Sequence, residues 1–467
     1  MNYLKLDLPL LVLGVGFLLI SRLFSPGFKF QAYCQMVSTF WAHQPFVISF
    51  SLNRIAPFFA ASQQGKAVIP EMRKWIPAFT YIIISSAILS FYWDIPSGTK
   101  LFYGQLRILV QMAVFIALGL SALALAKAFL ENRGVLFFQN ALTATVLLHG
   151  LASLYEFMAI KRGWPVIGIS RPDLSPLGVA AFSMGSTEVL RPGGLAGEPK
   201  TVAVLYGIFV LPAIFAPPPK SRSKLVRALR WMAILLSGLG FLMAFSTSAF
   251  IGGVVVVGVL AIRFWKAGMG QWAKGFAVAM FAVAAWGALA PNLSETVPLI
   301  EILKGRTIDR LSGGKGLSDP PVQASIEVMR ENPRIFLFGT GLGGSSFEIM
   351  KHLGPYSYAY APNIGMVFML VEVGLLGTLL LLLPWSLMSL LPMPPVTHPA
   401  HQKCRYLYGL SVSALILDLA GSGIAMGYPL AIASMAAYAH FSGLANRDLR
   451  AGVAHGIKGQ PSNIVKQ

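Results

Sequence analysis

The residues best equipped for chemistry in this sequence are cations in two long stretches, about 160–200 and about 292–360. Arg191 opens RPGGLAGEPK. Its planar guanidinium can hold a phosphate through two parallel hydrogen bonds, which a lysine does less well. An interfacial arginine on lipid headgroups is the plainer alternative. Glu198, seven residues on, is a base or the structural partner of an arginine. In GRTIDRLSGG, residues 305–314, Arg306 and Arg310 stand four apart. On a helix they share a face and can grip one polyanion. Asp309 lies between them and can orient one. A solvated charged helix is the competing reading. Arg171 and Lys200 complete the cationic candidates for substrate binding.

GTGLGG at 339–344 matches G-x-G-x-x-G. No βαβ pattern surrounds it, so a dinucleotide site is excluded. Two readings stay open: a tight turn entering SSFEIMKHLG, or a backbone nest in which Gly341 and Gly343 help hold a phosphate at a helix N-terminus. Of the seven histidines only His352 lies in a long stretch between apolar blocks, as a surface residue or a base. His398 and His401 are expected to be solvated, and His149 and His440 to be packed polar groups. There is no H-E-x-x-H, no paired Cys and no Asp-x-Asp, so no metal site is expected.

The elements that must position these residues are membrane spans. The chain has 467 residues, 55% hydrophobic and 12% charged, with a mean hydropathy of +0.66. Soluble domains carry about twice that charge. The apolar residues fall in blocks of the length that crosses a bilayer as helix. About twelve spans are expected, near 7–24, 36–60, 76–93, 107–126, 135–159, 201–219, 229–246, 249–265, 272–291, 361–391, 406–422 and 426–443. The block 361–391 is one tilted helix or a broken one. With the N-terminus inside, the short internal segments carry twenty Lys and Arg and the short external loops four. That bias sets the orientation, with both termini cytoplasmic. The organisation expected is N-terminal helices over 1–160, an external loop over 161–200, helices over 201–291, a large, partly helical external loop over 292–360, helices over 361–445 and a cytoplasmic tail over 446–467. The two long loops hold twelve of the 37 cations, which points to an anionic partner outside the membrane.

The net charge of +19 lies in short loops rather than on a soluble module, so nucleic acid is not an expected partner. Cys34 and Cys404 are too few for a disulfide framework and are expected at opposite faces. STSAF at 246–250 marks a tight reversal whose hydroxyls satisfy backbone groups. Glu372 in FMLVEVGLLG and Asp418 in LILDLAGSG are the most deeply placed charges, and intramembrane charges are functional candidates.

Five segments together resemble the O-antigen ligase and O-antigen polymerase superfamily: RPGGLAGEPKTVA (191–203), FSTSAFIGG (245–253), IDRLSGG (308–314), ENPRIFLFGTGLGG (331–344) and APNIGMVFMLVEVGLLG (361–377). They stand in the family's order and at its spacing, over about residues 190–390. The resemblance implies an all-α polytopic membrane protein of GT-C-like architecture, in the bacterial inner membrane with its active site facing the periplasm. It implies a glycosyltransferase that uses a glycan on undecaprenyl diphosphate, without metal, cofactor or nucleotide sugar. Polymerases pass the glycan to another lipid-linked repeat unit, ligases to lipid A-core. Membrane lipids, a chain-length regulator and a flippase are the further partners implied. Arg191 matches the first of the external arginines that hold the diphosphate; Arg306 and Arg310 suit the loop position.

Ligases of this family carry a histidine immediately before the asparagine that opens the late helix. This chain has Pro362-Asn363. Proline cannot accept a proton, so that role is absent or has moved to His352, Glu348 or Glu198. Asn363 is kept as a substrate-binding candidate. Gln323 or Ala324 stands near where a further external arginine is expected. These departures favour a polymerase. A transporter of anions or lipid-linked glycan is the alternative from another class.

Overall fold

The computed structural model describes residues 70–93, 106–130, 134–164, 180–184, 187–191, 199–218, 223–244, 246–264, 275, 320–353, 364–421 and 428–458. The helices are α1 (Ile76–Leu89, flanked by 3-10 turns Pro70–Trp75 and Ser90–Tyr92), α2 (Leu106–Leu130), α3 (Gly134–Arg162), α4 (Pro199–Phe215), α5 (Lys224–Met243) and α6 (Thr247–Phe264). Three short ones follow, α7 (Pro320–Glu331), α8 (Pro333–Phe338) and α9 (Ser345–Leu353). The last are α10 (Gly365–Ser389), α11 (His401–Gly421) and α12 (Tyr428–Lys458). The stretch expected as a loop over 161–200 contains an antiparallel hairpin, β1 (Ala180–Met184) with β2 (Thr187–Arg191).

Nine of the expected spans fall mostly on described residues, and the described part of each is mainly helical. The spans near 7–24 and 36–60 lie outside those residues, as does that near 272–291 but for residue 275. Among the described residues six helices are long and apolar enough to cross a membrane: Pro70–Tyr92, Gln111–Leu130, Gly134–Ala159, Lys224–Met243, Thr247–Phe264 and Gly365–Ser389. Local chemistry sets several ends. Ser223 accepts from Val226 N at 3.4 Å and opens α5. Ser246 Oγ accepts from Ala249 N at 3.4 Å, so the STSAF reversal is a side-chain cap, as expected. Asn332 caps α8, which has Pro333 where a missing N–H costs nothing.

α11 carries His401, Lys403, Arg405 and Asp418, yet it and α12 lie at the centre. α11 packs against α12, α6 and α4, while α12 also covers α2. A central helix meets protein on all sides, so it can be less apolar than a lipid-facing one. Asp418 is fully buried there. α1 and α10 run antiparallel: Trp75 Nε1 donates to Leu381 O at 3.0 Å, and Ser86 near the other end of α1 meets the loop that docks on Glu372.

One end of the bundle is tied by cations on helix carbonyls and rings. Arg405 donates to Phe215 O at 2.8 Å and lies 4.8 Å from the Phe264 ring. Arg263 donates to Leu391 O and to Tyr438 Oη at 3.0 Å, over the Tyr408 ring. Last-turn carbonyls lack helical partners and carry the negative end of the helix dipole, which a guanidinium satisfies twice over. His401 Nδ1 lies 2.7 Å from Pro394 O and His398 Nδ1 accepts from Ala400 N, so these two histidines are built into the 391–400 turn rather than solvated. His440 packs as expected, 3.4 Å from Glu71.

Candidate functional site

The tightest polar construction among the described residues joins GTGLGG to α10. α10 is broken at Gly374, whose φ of 71° and ψ of 175° are not helical. The turn between α8 and α9 fits into that break. Gly339, Gly341 and Gly343 all have positive φ, of 80°, 86° and 83°. Thr340 N donates to Val371 O at 2.7 Å and Gly341 N to Glu372 O at 2.9 Å. The carbonyls freed by the break therefore receive the loop's amides.

The Glu372 carboxylate is buried and meets three donors: Gly343 N, Ser345 N at 3.3 Å, and Ser345 Oγ. It sits at the N-terminus of α9, where free N–H groups and the helix dipole favour an anion. The backbone nest considered for GTGLGG thus exists, but its anion is the chain's own glutamate. The amides of Gly341 and Gly343 serve Glu372, and their backbone conformation shapes the turn. α1 supplies the remaining wall. Ser86 Oγ accepts from Leu342 N at 3.0 Å, and Trp93 Nε1 donates to Thr340 O at 2.7 Å. The Trp93 ring packs on Phe347 with centroids 5.3 Å apart.

Beside this core lies a charged surface. His352 of α9 is flanked by two carboxylates of α7, Glu327 Oε2 3.8 Å from Nδ1 and Glu331 Oε2 3.7 Å from Nε2. It is a partly exposed histidine in an acidic clasp between two helices. Lys351 pairs with Glu348 at 3.0 Å. Arg334 lies over the Tyr92 ring at 4.3 Å. These groups lie on the helices that flank the loop.

The other sequence candidates are only partly placed. Arg191 closes β2, in register with Ala180. Lys200 is half-buried in the first turn of α4, alongside Gly421 at the end of α11. Arg171, Glu198, Arg306, Asp309, Arg310 and Asn363 lie outside the described residues. Sequence reading missed Ser86, Trp93, Thr340 and Ser345. One signal was present: a deeply placed glutamate needs donors, and a glycine-rich turn followed by serines can supply them. Among the described residues no group of three or more His, Cys, Asp or Glu is placed to hold a metal ion. No protein-family model matches the chain, and no curated protein matches it either.

Proposed function

We propose that this chain is an integral-membrane glycosyltransferase that polymerises undecaprenyl-diphosphate-linked repeat units on the outer side of a bacterial inner membrane. In this reading it has about twelve spans in a GT-C-like arrangement, with both termini cytoplasmic and the active site periplasmic. The observation that carries the reading is the docking of two of the resemblance segments. ENPRIFLFGTGLGG and IGMVFMLVEVGLLG, the described residues 364–377 of the later segment, fold against one another through Thr340, Gly341, Gly343 and Glu372. Segments that resemble one family in order also form one structural unit. The grouping of helix ends supports the topology, since Phe215, Phe264, Leu391 and Arg405 gather at one end, as the charge bias requires of cytoplasmic ends.

A hydroxyl of the acceptor sugar attacks the anomeric carbon of the donor and releases its proton to a general base or, without one, to water. The bond from that carbon to the phosphate oxygen breaks, and the lipid diphosphate leaves with the negative charge. Arg191, Arg306 and Arg310 stabilise that charge as it develops. A general base adds about 10²–10⁴ in rate, so the reaction tolerates Pro362 if the cationic clamp holds. Ligation to lipid A-core is the less favoured relative of this reaction, because of Pro362. Transport is the other class. The break in α10 is a feature transporters use, but here Val371 O and Glu372 O accept from the loop instead of facing an ion.

The test is polymer length in cells carrying Arg191→Ala or Arg310→Ala. Loss of long glycan at unchanged protein level is expected; normal chain-length ladders in both would overturn the proposal. Purified protein given lipid-linked repeat units should lengthen the glycan, whereas a transporter would only relocate it.

A further inference from the structure

We infer that residues 333–345 form a re-entrant element seated in the outer leaflet, with α8 lying at the lipid interface and the GTGLGG turn at membrane depth. The sequence places this stretch wholly outside the membrane. Three independent observations lower it.

The first is level. Arg334 at the start of α8 stacks on Tyr92, at the very end of the α1 span. Gly341, seven residues later, is packed on Ser86, about two turns back along α1. The chain therefore descends alongside a helix that is itself long and apolar enough to cross the bilayer.

The second is hydrogen bonding. Irregular backbone survives at membrane depth only where protein satisfies all its polar groups. Every N–H from Gly339 to Ser345 has a partner: Ile335 O, Val371 O, Glu372 O, Ser86 Oγ, Glu372 Oε2, Gly341 O and Glu372 Oε1 in order. Residues 339–347 are all buried. A turn in water needs no such completeness.

The third is the exposed face. Ile76, Ile84 and Ile88 of α1 are each more than half exposed, as lipid-facing residues are. Phe91, 88% exposed, and Tyr92 lie just beyond that helix, and α8, whose first turn meets Tyr92 through Arg334, exposes Phe336, Leu337 and Phe338 at 39–44% each. The exposed Arg334 lies over the Tyr92 ring at 4.3 Å. Aromatic rings with a cation above them are the chemistry of the headgroup boundary. The partner is thus the bilayer itself, whatever reaction the protein catalyses.

Nitroxide depth measurement tests this on the full chain reconstituted in phosphatidylethanolamine–phosphatidylglycerol liposomes, in a Cys34→Ser, Cys404→Ala background. A label at Leu337→Cys should collide with oxygen in preference to a water-soluble nickel chelate. A label at Glu331→Cys should show the reverse. Phe91→Cys, at a position that packs on little, should behave as Leu337→Cys does and serves if the latter folds poorly. Nickel access at 337 or 91 equal to that at 331 would overturn the inference. So would a label shielded from both reagents, the result expected of a second copy seated on the patch.

Discussion

Gly339 and Gly374 meet backbone to backbone, one at the end of α8 and the other at the break in α10. A Cβ on Gly339 would stand 2.7 Å from Gly374 N, and one on Gly374 would stand 2.5 Å from Gly339 N. Both residues also hold a positive φ with ψ near 180°, a region that side chains other than hydrogen rarely enter. Conformation and space therefore demand glycine at both positions. Gly374→Ala should cost about 1–3 kcal/mol in backbone strain alone, and more for parting the two chains. Thermal unfolding of the purified variant in detergent checks it. A transition within error of the parent would remove this contact from the fold's essentials.

Glu372→Gln tests the nest. The amide keeps one acceptor oxygen but turns two N–H groups toward amides and a hydroxyl that also donate. About 1–3 kcal/mol of stability should be lost. Ser345→Ala removes one of the same donors, so the two changes should couple by about 0.5–3 kcal/mol in a double-mutant cycle. Strict additivity would mean that the carboxylate and the serine do not share a hydrogen bond in solution.

Trp93→Phe keeps the ring contact with Phe347 and deletes only the bond to Thr340 O. The expected loss is about 1 kcal/mol, confined to the loop. Hydrogen exchange by mass spectrometry should show faster exchange across 339–345 and no change in α11. Unaltered loop protection would count against the role assigned to Trp93.

Lys403 gives a pH dependence. It lies in the first turn of α11, ahead of the span expected at 406–422, with Nζ 3.9 Å from the Phe441 ring centroid. Burial pushes its ammonium from the ordinary 10.5 down to about 8. The unfolded chain then holds more protons than the folded one between about 8 and 10.5, so this residue's contribution to stability rises with pH across that window. Below pH 8 the full cost of burying the charge is present. The gap in unfolding midpoint between Lys403→Met and the parent should narrow from pH 7.5 to pH 9.5. A constant gap would contradict the assignment.

Much of the scaffold was legible in the residue order because hydropathy and capping are local. The blocks at 135–159, 229–246 and 249–265 announce helices by length and apolar content alone. Ser246 announces a helix start by standing just before it. The late block 361–391 left a choice between one helix and two. An isolated glycine in an apolar helix costs about 1 kcal/mol relative to alanine, which does not break it. The break at Gly374 needs Gly339 pressed against it from 35 positions away. The hairpin at 180–191 had no period-2 signal strong enough to displace the loop reading.

The candidate site divides in the same way. GTGLGG was readable as a tight turn, and Glu372 as a buried charge in need of donors, since residue type and depth suffice for both. That each is the other's partner is a property of distance across the fold, which no local pattern encodes. Composition and charge placement by themselves determined a helical membrane protein with cations outside its apolar blocks. Only the tertiary structure decided that the anion in the glycine-rich nest is Glu372, because desolvating a carboxylate between spans is tolerable only where three donors already converge on it.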